Sequence, residues 1–147
     1  MKIILMGQQA FGKSTLEKFH KETDHEIVAV YCAPDKEGKP LDPVKEYAVS
    51  ENLPVFQPSN FKDKEVLEQI KSHNADLCVM AYVIIFVPEE ARNIPKHGSI
   101  CFHPSLLPLH RGPSSINWPI IMGSKKTGLT IFYPNDGLDE GEILLQK

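Results

Sequence analysis

The chain has 147 residues, 41% of them apolar and 24% charged, the balance of a single soluble globular domain. A net charge of −3 excludes a general attraction to nucleic acid, and no apolar run approaches the roughly 18 residues that a membrane span needs. Cys32, Cys78 and Cys101 are odd in number, far apart and set in apolar runs, which excludes a disulfide framework or a metal knuckle and points to buried thiols. The N-terminus is too short in its apolar part for a signal peptide and lacks arginine, so the cytoplasm is the expected location.

Taken in chain order, residues 3–6 read as a buried strand and 14–21 as a helix. The β-branched run 27–32 reads as a second strand, and APDKEGKPLDP as a charged turn-rich loop. A helix over 44–52 and a short strand over 54–56 follow. Residues 63–72 form an amphipathic helix with Val66, Leu67 and Ile70 inward. A strand over 77–80 and a helix over 88–92, with Pro and acids at its start, complete the first two thirds. Beyond that lie a strand at 99–102, the Pro-rich run HPSLLPLHRGPSS, a helix at 116–122, a strand at 129–133, the loop PNDGLDEGE and a last strand at 143–145.

Alternation of strand and helix implies parallel strands with helices on both faces, a doubly wound α/β domain. About nine residues join the last two strands, fewer than a parallel crossover needs, so one of the two is expected to run antiparallel.

Two stretches invite a chemical reading. Gly7 to Ser14, GQQAFGKS, has the spelling of a phosphate-binding loop and sits between a strand and a helix. Phosphoryl transfer also needs a magnesium-holding acid at the end of a second strand. The strand ends here offer none, since Asp76 precedes its strand. The favoured reading is a tight turn that uses Gly7 and Gly12, with Lys13 solvated. The dinucleotide fingerprint GxGxxG is absent too.

The second stretch is GSICFHPSLLPLHRGPSSINW. His103 directly follows a strand, at the carboxyl edge where open α/β sheets bind ligands. A lone histidine there is more often tied to a neighbouring loop. The acidic loop holding Asp136, Asp139, Glu140 and Glu142 changes the weighing, although a merely solvated loop stays open. Leu138 is expected to anchor that loop inward. An aspartate aimed at His103 would make an acid/base pair fit for acyl transfer or hydrolysis.

HPSLLPLHRGPSSINW followed by GLDEGEILLQK resembles the folate-dependent formyltransferase family, in particular the amino-terminal hydrolase domain of 10-formyltetrahydrofolate dehydrogenases. MKIILMGQQAFG, APDKEGK and INWPIIMG resemble it as well, so the likeness spans the chain. The resemblance implies a Rossmann-like, mostly parallel seven-stranded sheet with one antiparallel strand. It implies one catalytic domain over 1–147 that lacks C-terminal helices. It assigns His103 and Asp139 as catalytic residues and puts Cys101 where the transferases of the family have Asn. That change leans toward hydrolysis, with the thiol read first as a buried small hydrophobe and second as a nucleophile. The folate substrate, 10-formyltetrahydrofolate, is implied to enter between 80–87 and 134–139, using Met80, Ala81, Tyr82, Ile85, Pro134, Asp136 and Leu138. Ser105, Leu106 and Arg111 would shape the acceptor side, with Arg111 either meeting the glutamate tail of folate or forming a surface salt bridge. No metal is implied. The implied partners are a small-molecule folate and a downstream aldehyde dehydrogenase domain in a parent chain. Two alternatives stand beside this: a formyltransferase acting on methionyl-tRNA or a sugar nucleotide, and a folate-binding module that has lost activity.

Overall fold

The computed structural model describes all 147 residues, which fall into two compact units, 1–99 and 100–147. In the first, strands β1 (Lys2–Gly7), β2 (Glu26–Tyr31), β3 (Val55–Phe56) and β4 (Leu77–Ala81) alternate with helices α1 (Gln9–Glu22), α2 (Pro43–Ser50), α3 (Lys64–Ser72) and α4 (Glu89–Arg92). The strands run parallel in the order β3-β2-β1-β4. β1 is central and covered on both faces, so it reads as an uninterrupted apolar run in place of an alternating one. Ile3, Ile4 and Leu5 have no exposed surface.

Helix boundaries follow local chemistry. Asp42 caps α2 by accepting from the Val44 N–H, and Pro43 opens the helix, where its missing N–H costs nothing. Ile70, on the expected apolar side of α3, is completely buried. α1 begins earlier than the sequence suggests. Only Gln8 separates it from β1, so Gly12, Lys13 and Ser14 lie inside the helix and not in a loop before it. The two glycines have packing reasons. A Cβ on Gly7 would run into the Ala81 carbonyl of β4, and one on Gly12 would come within 2.8 Å of Val44 Cγ2 on α2. The spelling GxxxxGKS here records a helix pressed against a strand and its neighbours.

The second unit holds most of β5 (Ser99–His103), the short α5 (Asn117–Ile121), β6 (Thr130–Pro134) and β7 (Gly141–Gln146). β6 runs antiparallel to both β5 and β7. The chain thus has seven strands with one reversed member, as expected from the short connection after β6. That connection is shorter than the acidic run implies, because Glu142 already pairs with Tyr133 as part of β7. β7 is exposed along its length, and Trp118, Ile120 and Ile121 around α5 are at least half exposed.

Candidate active site

The chemistry-bearing residues of the second unit gather at the end of β5. Cys101 and His103 stand two positions apart on this strand and therefore share a face. They pair with Phe132 and Thr130 of β6. The loop after His103 is held from below by Thr130, which has no exposed surface. The Thr130 hydroxyl donates to the Ser105 carbonyl at 2.7 Å and accepts from the Leu107 N–H at 3.1 Å. Gln146 of β7 donates its amide to the Leu107 carbonyl at 2.8 Å and to Thr130 Oγ1 at 3.0 Å. Ser105 is also fully buried and donates to the Leu109 carbonyl at 2.6 Å, so it shapes the loop from inside. The Leu107–Pro108 bond in this loop is cis.

His103 is 6% exposed, and both ring nitrogens have partners. Nε2 lies 2.9 Å from the His110 carbonyl, which can only accept, so Nε2 carries a proton. Nδ1 lies 3.5 Å from Asp139 Oδ2. That separation is an electrostatic contact, longer than a tight hydrogen bond, and leaves room for adjustment when a ligand arrives.

Asp139 reaches His103 because of its backbone. Its φ of 46° lies in the left-handed region, which aspartate tolerates better than most residues. The loop is closed by the Asn135 N–H donating to the Glu140 carbonyl at 3.1 Å, and Asn135 Oδ1 accepts from the Gly137 N–H at 2.8 Å. The Gly112 N–H donates to Asp139 Oδ2 at 2.6 Å, a short charge-assisted bond that fixes this oxygen. Oδ1 takes no hydrogen bond from the protein, and the side chain is 21% exposed, so one carboxylate oxygen faces outward.

Cys101 belongs to the same electrostatic neighbourhood. Burial, reinforced by the negative charge of Asp139, pushes its thiol up to about 12. A thiol held that high stays protonated near neutral pH and presents a small, weakly donating group.

The remaining expected positions divide. Arg111 pairs with Glu140 at 3.0 Å, both about two-fifths exposed, and so forms the surface salt bridge, a contact worth roughly 0–1 kcal/mol. Leu138 does not anchor the loop inward. It is 64% exposed, because the backbone turn that aims Asp139 at His103 points the preceding side chain outward. Leu106 and Pro134 are half-buried, while Asp136 is exposed. In the first unit Met80 and Ala81 are buried as the end of β4. Tyr82, at φ 63°, leaves the strand and is 55% exposed, and Ile85 is half-buried. Gly112, His110, Thr130 and Gln146 were not expected. The first two act through backbone groups and leave no mark in side-chain identity. No group of three or more His, Cys, Asp or Glu side chains is placed to hold a metal ion, and no helix is long and apolar enough to cross a membrane.

Comparison with known proteins fits this arrangement. The family described as formyl transferase matches the chain over residues 1–147. Over 152 aligned residues the chain is 45% identical to the cytosolic 10-formyltetrahydrofolate dehydrogenase of Mus musculus, covering 100% of this chain and 17% of that protein. It is 43% identical to the methionyl-tRNA formyltransferase of Fusobacterium nucleatum subsp. nucleatum, covering 100% of this chain and 48% of that protein. A formyltetrahydrofolate deformylase from Pseudomonas syringae pv. tomato shares the fold, with a TM-score of 0.80 at 24% identity over 99% of this chain and 50% of that one.

Proposed function

From the premise that this chain belongs to the formyl transferase family, we propose that it binds 10-formyltetrahydrofolate and removes the formyl group, with water as the acceptor. The observation that carries this is the approach of His103 Nδ1 to Asp139 Oδ2 at 3.5 Å, with the Gly112 N–H fixing the same oxygen. Residues 1–147 act in this reading as one catalytic domain. The matching span of the family supports that.

The roles follow from which atoms are already engaged. Asp139 Oδ1 is open and orients the attacking water, taking its proton as the carbon–oxygen bond forms. His103 has one nitrogen to offer, Nδ1, because Nε2 is tied to the His110 carbonyl. Its N–H supports the developing oxyanion, then gives its proton to N10 as the carbon–nitrogen bond breaks. Formate and tetrahydrofolate are the products. A protonated thiol at Cys101 donates weakly. Loss of one oxyanion donor typically costs about 3 kcal/mol of barrier, so slow turnover is expected. Asp136 and Leu138, on the same loop as Asp139 in the second unit, and Pro134 at its start are the proposed contacts for the flat ring.

The kinship with a protein named for methionyl-tRNA supports a second reading, formyl transfer to an amine. An overall charge of −3 offers a tRNA little. A cytoplasmic location and a downstream dehydrogenase domain in a parent chain are part of the first reading. Both are supported by the mouse relative, which is named as cytosolic and of which this chain spans 17%.

The test is release of formate and tetrahydrofolate from 10-formyltetrahydrofolate, with and without amine acceptors. Hydrolysis predicts acceptor-independent turnover that Asp139→Ala abolishes while folate binding persists. Turnover that waits for an amine rejects water as the acceptor, and an unaffected Asp139→Ala rejects the site.

A further inference from the structure

Both members of the His103–Asp139 pair are held by backbone groups of one loop. The His110 carbonyl accepts from His103 Nε2 at 2.9 Å, and the Gly112 N–H donates to Asp139 Oδ2 at 2.6 Å. Both contacts depend on left-handed backbone, with φ of 54° at His110 and 81° at Gly112. Glycine adopts that region freely, and histidine is among the few other residues that visit it. Turned this way, consecutive peptide units present a carbonyl to the imidazole and an N–H to the carboxylate.

The group that fixes this turn is buried. Ser105 has no exposed surface, and its hydroxyl donates to the Leu109 carbonyl at 2.6 Å. That carbonyl belongs to the peptide unit immediately before His110, so the bond holds the plane from which the left-handed turn starts. Ser105 is itself pinned, since its own carbonyl accepts from the Thr130 hydroxyl of β6. A path of short contacts thus runs from the floor of the second unit through Ser105 to the loop that grips the pair. With no exposed surface, the Ser105 side chain offers a ligand nothing to touch, and its influence runs through the loop.

We propose that Ser105 is a positioning residue: through the Leu109–His110 peptide its hydroxyl aims the His110 carbonyl at His103 and the Gly112 N–H at Asp139. Its bearing on rate rests on the deformylation reading, in which a reacting group displaced by about 1 Å can lose about 10²-fold in turnover. Its bearing on the His103 ring does not, because the hydrogen bond from Nε2 to the loop forms without substrate.

The experiment follows the His103 Nε2 proton by NMR in protein carrying isotope-labelled histidine, assigned by its disappearance in His103→Gln, alongside the kinetics of formate release. In the unaltered chain this proton, buried and bonded to a carbonyl, should exchange with water at least about tenfold more slowly than the ring protons of the exposed His97. Ser105→Ala should remove that protection and lower kcat at least about tenfold, with KM changed less than about twofold. His110→Asn, which tolerates the left-handed region, should keep the ring proton protected, whereas His110→Val, which does not, should expose it. That pair decides the matter if Ser105→Ala fails to fold. Protection that is missing from the unaltered chain, or that survives Ser105→Ala or His110→Val, overturns the proposal. So does an active enzyme whose kcat ignores Ser105→Ala. A chain that releases no formate in any form sinks the deformylation reading and leaves the ring proton to judge Ser105.

Discussion

Two strand ends in this chain carry chemical promise, and they differ in how it is kept. At the end of β1 the sequence spells a known phosphate loop within eight consecutive residues. At the end of β5 it offers one histidine and a run of prolines. The first proves to be packing. Gly7 and Gly12 make room for Ala81 and Val44, and Asp42 sits on the amide that a phosphate would need. The second acquires a carboxylate from 36 positions downstream, a backbone N–H from Gly112 and a buried hydroxyl from Thr130. A contiguous pattern is cheap to match by accident, whereas a pair brought together across a loop and two strands requires the fold to place both members.

The comparison breaks first at His103. If the β5 end carries the chemistry, His103→Ala should lower the rate of formate release about 10²–10⁴-fold, the usual worth of a positioned acid/base group. Folate affinity should change less than the rate, because the Nδ1 N–H is called on only as the oxyanion develops. A variant that keeps its rate would return this histidine to the role of a loop brace.

The next effect separates the brace from the reacting pair. Thr130→Val conserves volume but strips a hydroxyl that serves three partners, leaving the Leu107 N–H and the Ser105 carbonyl without their bonds inside the protein. At about 1–3 kcal/mol for each stranded group, urea denaturation should show a loss of roughly 3 kcal/mol, and Thr130→Ser should recover most of it. Equal stability of valine and threonine at 130 would mean that the loop does not depend on this hydroxyl.

Much of this was legible in the residues. Short β-branched runs between helical patterns revealed the parallel strands, and the brevity of the β6–β7 connection required a reversed strand. His103 stood out through position and residue type, while Asp139 was picked from its cluster of four acids only by the family resemblance. The start of α1 was not legible, because the phosphate-loop spelling suggested a loop where Gln9 already begins a helix. Leu138 misled as well: an apolar residue in a polar loop suggests an inward anchor, yet the left-handed turn at Asp139 leaves it outside. Backbone partners such as the Gly112 N–H and the His110 carbonyl are invisible to any reading by residue type, since every residue but proline has both groups.

A smaller effect tests whether Cys101 shares the field of Asp139. An unfolded thiol ionises near 8.5, while burial and then the Asp139 charge hold Cys101 up to about 12. Between these values the unfolded chain has lost a proton that the folded chain keeps, so stability present below pH 9 falls as pH rises toward 12. Cys32, held up to about 11 chiefly by burial, contributes in the same direction. Urea midpoints measured from pH 8 upward should decline less steeply in Cys101→Ala than in the unaltered protein. Parallel curves would show that the thiol is not held as described.

The smallest effect is the sharpest statement about the β1 end. In a working phosphate loop the lysine reaches the β- and γ-phosphates, and removing it ends catalysis. Here Lys13 is exposed inside α1, one residue after a glycine pressed against Val44. Alanine is the better helix former at an exposed interior site, so Lys13→Ala should leave stability within about 0.5 kcal/mol. Deformylation should be unchanged. ATP titrated against either protein by calorimetry should give no heat traceable to residue 13, since Asp42 already holds the first amide of the helix. A measurable ATP affinity lost on Lys13→Ala would reverse the contrast between the two strand ends, because the carboxylate would then have to leave a place that nucleotide phosphate takes.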